Sequence, residues 1–184
     1  QRYGARIGIV DADGQHRIGD VLDRAAGIAD ELRRQGLGPG DFVATVFHNS
    51  ALAAAASYAV ALAGATEVPA NPALSEAELA HVMACSTARL ALVDGADPLP
   101  AIPARLLDVR AIAPRVLTPD GWPDVAQDAP SRIVFTSGTT GPAKGAIHSH
   151  RGRWTGTRWL TTPRTTCWCP SWWSGPRTAP RSPR

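Results

Sequence analysis

A chain of 184 residues, 44% of them apolar, can fill one globular core, and it contains no apolar run long enough to span a bilayer. Its net charge of +3 joins two unlike parts: residues 1–150 carry 12 basic and 16 acidic side chains, whereas residues 151–184 carry seven arginines, no acid and five of the six tryptophans. Three cysteines do not make a disulfide framework, and within the sequence, which begins at Gln1, no basic segment precedes an apolar one, so a reducing cytoplasm is the expected setting.

Residues 7–10 are predicted as a short strand, Asp11-Ala-Asp-Gly14 as a turn, and residues 16–18 as the returning strand. Residues 20–35 follow as a helix. Val21, Leu22, Ala25, Ile28, Ala29 and Leu32 fall on one face, and Gly36 is placed to end it. Gly38-Pro39-Gly40 forces a turn. The apolar run 42–47 then has the length and content of a buried parallel strand.

Asn49 or Ser50 can cap a second helix reaching Ala63, with Gly64 after it. Residues 65–69 read as a strand, and Ser75-Glu-Ala-Glu78 as a capping box opening a third helix through about residue 84. Cys85, near the end of that helix, reads as a core residue. Residues 89–93 form another buried strand. The proline-rich stretch 95–130 leaves room for short strands at 105–109 and near Val116, and residues 133–135 form a strand that runs straight into residue 136. Strands alternating with helices over tight connections predict an α/β fold with a mainly parallel sheet flanked by helices. Such sheets bind ligands at the carboxyl ends of their strands.

The segment after that last strand carries the chemistry. Residues 136–145 read Thr-Ser-Gly-Thr-Thr-Gly-Pro-Ala-Lys-Gly. Gly138, Gly141 and Gly145 free the backbone to turn its N–H groups toward an anion, and Thr136, Ser137, Thr139 and Thr140 add four hydroxyl donors. Lys144, the only lysine against 18 arginines, supplies a mobile positive charge suited to a polyphosphate. The segment is not a Walker A loop, because Lys144 follows Ala143 and precedes Gly145. A plain Gly/Ser/Thr linker is the competing reading. It gives no reason for these residues to follow directly on an apolar strand.

This segment resembles the phosphate loop of the adenylate-forming superfamily, which includes acyl-CoA synthetases, aryl-CoA ligases, peptide-synthetase adenylation domains and beetle luciferase. That loop reads Thr-Ser-Gly-Ser/Thr-Thr-Gly-x-Pro-Lys-Gly, with a serine–histidine pair soon after. Ser149 and His150 fit, and Pro142-Ala143 departs from the usual x-Pro. Upstream, Leu62-Ala-Gly-Ala-Thr-Glu-Val-Pro69 with Asn71-Pro72 resembles a second family segment. Gly36-Leu-Gly-Pro-Gly-Asp41 and His48-Asn49-Ser50 resemble two more, while Gly19 stands where many members have tyrosine.

The resemblance implies that residues 1–150 are the N-terminal part of an AMP-dependent synthetase/ligase domain. It implies ATP with Mg2+, a small-molecule carboxylic acid, and coenzyme A as the thiol acceptor. Thr136, Ser137, Gly138, Thr139, Thr140, Gly141, Lys144 and Gly145 would hold the ATP phosphates. An acid–CoA ligase is the expected class. A peptide-synthetase adenylation domain is one alternative, and a non-catalytic module that binds nucleotide phosphates or a partner is another. The family's C-terminal catalytic lysine has no counterpart, so this chain is not expected to catalyse alone. No metal ligands are assigned.

Residues 151–184 read as a disordered tail foreign to the fold. Codons for Arg164-Thr-Thr-Cys-Trp-Cys-Pro170, read from the third base of the arginine codon, permit Asp-Asp-Val-Leu-Val-Pro, which the family shows after its first post-loop helix. A frameshift between residues 150 and 163 is therefore expected. The alternative is a basic, aromatic segment for nucleic acid or a membrane surface, but basic runs are more often simply solvated, and neither partner is expected. Cys167 and Cys169 lack a second pair for a metal site.

Overall fold

The computed structural model describes residues 4–95, 99–118, 122–136 and 143–151, with Thr136 described by its backbone alone. The first two strands, β1 (Ile7–Asp11) and β2 (Gly14–Arg17), form an antiparallel hairpin of their own. Helix α1 (Ile18–Arg34) follows without a break. Arg17 gives it no side-chain cap. Instead Ile18 N–H donates to the Arg6 carbonyl and Gly19 N–H to the Gly4 carbonyl, each at 2.9 Å, which satisfies two of the donors a helix start leaves open. Val21, Ala25, Ile28, Ala29 and Leu32 are buried as the periodicity predicts, with Ala26 and Gly27 beside them.

The main sheet has six strands: β3 (Phe42–Val46), β4 (Thr66–Ala70), β5 (Leu90–Val93), β6 (Arg105–Asp108), β7 (Pro130–Thr136) and β8 (Lys144–Ser149). Their spatial order is β6-β5-β3-β4-β7-β8, and every neighbouring pair is parallel except β7 with β8. Helices α2 (Ala51–Ala63) and α3 (Glu76–Ser86) complete the regular structure, with a 3-10 turn at Val109–Ala111.

Side-chain alternation along β3 divides the core in two. Val43 packs with α1, α2, Leu90 and Leu92 on one face, while Ala44 and Val46 pack with Val68, Ala91, Val93 and α3 on the other. Burial on both faces explains why these strands read as continuous apolar runs. Ile28 and Leu32 are fully buried, and each contributes about 1.5–3 kcal/mol of transfer free energy.

The local signals hold for both later helices. Ser50 Oγ accepts from Ala53 N–H at 3.1 Å, and α2 ends on Gly64 with φ 78°, a conformation that suits a residue without Cβ. At α3 the Ser75–Glu78 capping box is formed in both directions.

Three readings change. No strand forms near Val116. Residues 112–117 instead lie along α1, where Arg115 N–H donates to the Asp23 carbonyl and Leu117 N–H to Asp23 Oδ1, both at 2.9 Å. Helix α1 satisfies these donors, so no neighbouring strand is needed. Lys144 and Gly145, read as the end of the loop, and residues 146–149, read as its sequel, form β8. Cys85 lies half-buried beside His81 and is not part of the core. Among the described residues, no helix is long and apolar enough to cross a membrane.

Candidate phosphate-binding site

Strand β7 carries the chain from Pro130 up to the loop, and β8 carries it back. Their antiparallel register pairs Thr136 with Lys144, Phe135 with Gly145 and Val134 with Ala146. The hairpin thus brings the first residue of the motif opposite its only cation. Lys144 is exposed. Gly145 is needed for packing: a Cβ there would lie 2.8 Å from Ile133 Cγ2 and 3.3 Å from Phe135 Cζ. Ser137, Gly138, Thr139, Thr140 and Gly141 lie outside the described residues, as do Cys167, Cys169 and the frame-shifted reading of Arg164 to Pro170.

A cleft of about 820 Å³ opens on the α2 side of the sheet, near the carboxyl ends of β3 and β4. Arg132 and Val134, two residues apart on β7, line this cleft.

The floor of the cleft is an ion pair that the sequence reading did not anticipate. Glu67, on β4, is 2% exposed. Arg132 donates to its Oε2 from Nε at 2.8 Å and from Nη2 at 2.6 Å. Ser57 Oγ, on α2, donates to the same oxygen at 2.9 Å, and Thr45 Oγ1, on β3, donates to Oε1 at 3.1 Å. Arg132 Nη2 also donates to Ser57 Oγ at 2.7 Å. Four elements are therefore tied through one carboxylate, and one of them is the strand that delivers the loop. Glu67 and Arg132 are also register partners between β4 and β7.

The hairpin β1–β2 supplies the cleft's rim through Asp11. Ala51 N–H, at the start of α2, donates to Asp11 Oδ2 at 2.8 Å. Oδ1 lies 2.8 Å from His16 Nε2 and accepts from Asp13 N–H at 3.0 Å. The helix-terminal N–H first, and His16 next, hold the Asp11 carboxyl below its ordinary value of 3.8. A carboxyl with a lowered folded-state pKa adds stability that is complete above its unfolded pKa and is lost as pH falls through the folded one. The stability gap between the parent and Asp11→Asn, from urea unfolding, should therefore hold at about pH 6 and close below about pH 4. A gap that stays constant over that range would refute this linkage.

Comparison with known proteins bears on this geometry. The family model described as AMP-binding enzyme matches residues 1–175. Among curated relatives, the probable non-canonical nonribosomal peptide synthetase CymA of Salinispora arenicola is 36% identical over 134 residues, covering 68% of this chain and 2% of that protein. The p-hydroxybenzoic acid–AMP ligase FadD22 of Mycobacterium tuberculosis is 34% identical over 137 residues, covering 72% of this chain and 19% of that protein. Among solved structures, the N-terminal subdomain of NpsA from Klebsiella oxytoca superposes with a TM-score of 0.70 at 23% identity, covering 82% of this chain and 40% of that one. The chain thus spans well under two thirds of each.

Proposed function

This chain belongs to the AMP-binding enzyme family, and from that premise we propose that it forms the ATP-phosphate-binding part of an enzyme that activates a carboxylic acid as its adenylate. In that reaction a carboxylate oxygen attacks the α-phosphorus of ATP, the bond to the bridging oxygen breaks, and pyrophosphate leaves. A thiol then attacks the acyl carbon and AMP departs. Thr136, Ser137, Thr139, Thr140 and Lys144, with the N–H groups of Gly138, Gly141 and Gly145, hold the β- and γ-phosphates. They stabilise the charge that collects on the leaving group. Mg2+ enters bound to the triphosphate, as part of the substrate.

The observation that carries this reading is the β7–β8 register, which sets Lys144 opposite Thr136 at the carboxyl end of a strand in a mainly parallel sheet. Relatives of two kinds, a peptide synthetase and an acid–AMP ligase, support the adenylate step equally. For the acceptor we propose a phosphopantetheine thiol, the group that coenzyme A and carrier proteins share. A cytoplasmic setting and a domain limit near residue 150 belong to the same proposal.

Titration of the chain with ATP–Mg2+ by calorimetry tests the phosphate reading. Charge-assisted hydrogen bonds contribute about 1.5–3 kcal/mol each, so Lys144→Ala should weaken binding roughly 10- to 100-fold. Equal affinity in parent and variant would sink the role of Lys144, and no binding by the parent would sink the phosphate site. Binding without pyrophosphate release would favour the non-catalytic alternative for the chain by itself.

A further inference from the structure

We infer that His81 is a positioning residue for the C-terminal end of the loop: its ring, mounted on α3, orients the peptide that precedes Lys144. This inference rests on the phosphate-loop reading only for its functional consequence. The contact itself stands apart from that reading. His81 Nε2 lies 3.0 Å from the carbonyl oxygen of Ala143, 62 residues further along the chain. A carbonyl only accepts, so Nε2 carries the proton.

The mount is rigid. The capping box at Ser75 and Glu78 fixes the start of α3, and Leu79, Val82 and Met83 bury its inner face. Cys85 sits one turn beyond His81, with Sγ 3.6 Å from Nε2 and 3.8 Å from Nδ1. The sulfur packs against the ring from the next turn of α3 and so restrains it.

The consequence follows from peptide geometry. The Ala143 carbonyl and the Lys144 N–H belong to one planar, trans unit, so they point in opposite directions. Holding the oxygen against α3 turns the Lys144 N–H away from it and fixes the angle at which the lysine leaves β8. A misplaced ammonium loses part of its charge-assisted hydrogen bonding to a polyphosphate. His81 therefore acts through Lys144 without touching the ligand.

Three measurements test this. Long-range 1H–15N spectra of the parent should show the His81 ring protonated at Nε2; a ring neutral with its proton on Nδ1 overturns the proposal. His81→Phe keeps a ring but removes the donor, and His81→Gln keeps an amide donor. Hydrogen exchange at the Lys144 and Gly145 amides, measured without nucleotide, should speed up in His81→Phe and return toward the parent in His81→Gln. Unchanged exchange in His81→Phe refutes the anchor, whatever ATP does. With ATP–Mg2+, His81→Phe should bind about 3- to 10-fold more weakly and His81→Gln within about twofold of the parent. If the parent fails to bind ATP–Mg2+, the phosphate reading falls, while the tautomer and the exchange still decide the anchor.

Discussion

Replacing Arg132 with alanine is expected to destabilise the chain by about 3 kcal/mol, the lower end of the range for stripping a buried charge of its partner. The lower end applies because the Arg132 side chain is 31% exposed along the cleft, so water can reach part of the space it leaves, whereas Glu67 at 3% cannot move out to meet it. In a domain of this size the melting temperature should fall by about 6–12 °C. Glu67→Gln should be milder, since its amide oxygen can take over the Oε2 position and accept from Arg132 and Ser57, while its NH2 donates to Thr45 Oγ1, whose hydroxyl turns from donor to acceptor. Combining Glu67→Leu with Arg132→Met should recover most of the loss, because removing both partners spares the desolvation of either. A double-mutant cycle by urea unfolding measures the coupling. An Arg132→Ala protein within about 0.5 kcal/mol of the parent would mean that the pair contributes little. Since Glu67 and Arg132 also join β4 to β7, the same variant should weaken ATP–Mg2+ binding in proportion to the loosening of the strand that delivers Thr136.

That ion pair shows where the sequence stops being readable. Ser75 and Glu78 specify their capping box within four residues, and Ser50 and Gly64 bracket α2 by equally local rules, so each could be read directly. Glu67 and Arg132 each interrupt an apolar strand. Their meaning depends on β4 and β7 being neighbours in the sheet, a relation between positions 65 residues apart. The sequence reading put Glu67 inside the strand 65–69 but began the last strand at residue 133, one position after Arg132, so the two charges were not seen as partners. Strand β8 was illegible for a different reason. Lys144, Gly145 and Ala146 have poor strand propensity, and they are extended because β7 offers them an antiparallel edge. The stretch near Val116 failed in the opposite sense. Its composition allows a strand, but Asp23 captures the N–H groups of Arg115 and Leu117 first. The loop motif carried the family resemblance without any tertiary partner, and the match of residues 1–175 to the AMP-binding enzyme family bears that resemblance out.

Residues 112–117, which lie as a strap along α1, set the second large effect, at Gly27. By helix propensity alone, Gly27→Ala in the middle of α1 should stabilise by up to about 1 kcal/mol. The packing reverses the sign. A Cβ on residue 27 would lie 2.1 Å from the Ala113 carbonyl oxygen and 3.4 Å from Pro114 Cα. Both are backbone atoms, so no rotamer change relieves the clash and the strap must lift as a unit. Lifting it opposes Arg24 Nη1 to the Ile112 carbonyl at 2.5 Å, Arg115 N–H to the Asp23 carbonyl at 2.9 Å, and the Arg115–Asp30 ion pair. Overpacking costs about 1–3 kcal/mol, and each hydrogen bond lost from the strap adds about 0.5–1.5. A net loss of about 2–4 kcal/mol by urea unfolding is therefore expected for Gly27→Ala. Asp23→Ala removes the side chain that accepts from Leu117 N–H, so Gly27→Ala should cost less in that background than in the parent. If Gly27→Ala instead raises the melting temperature, the strap yields freely and intrinsic helix propensity decides this position.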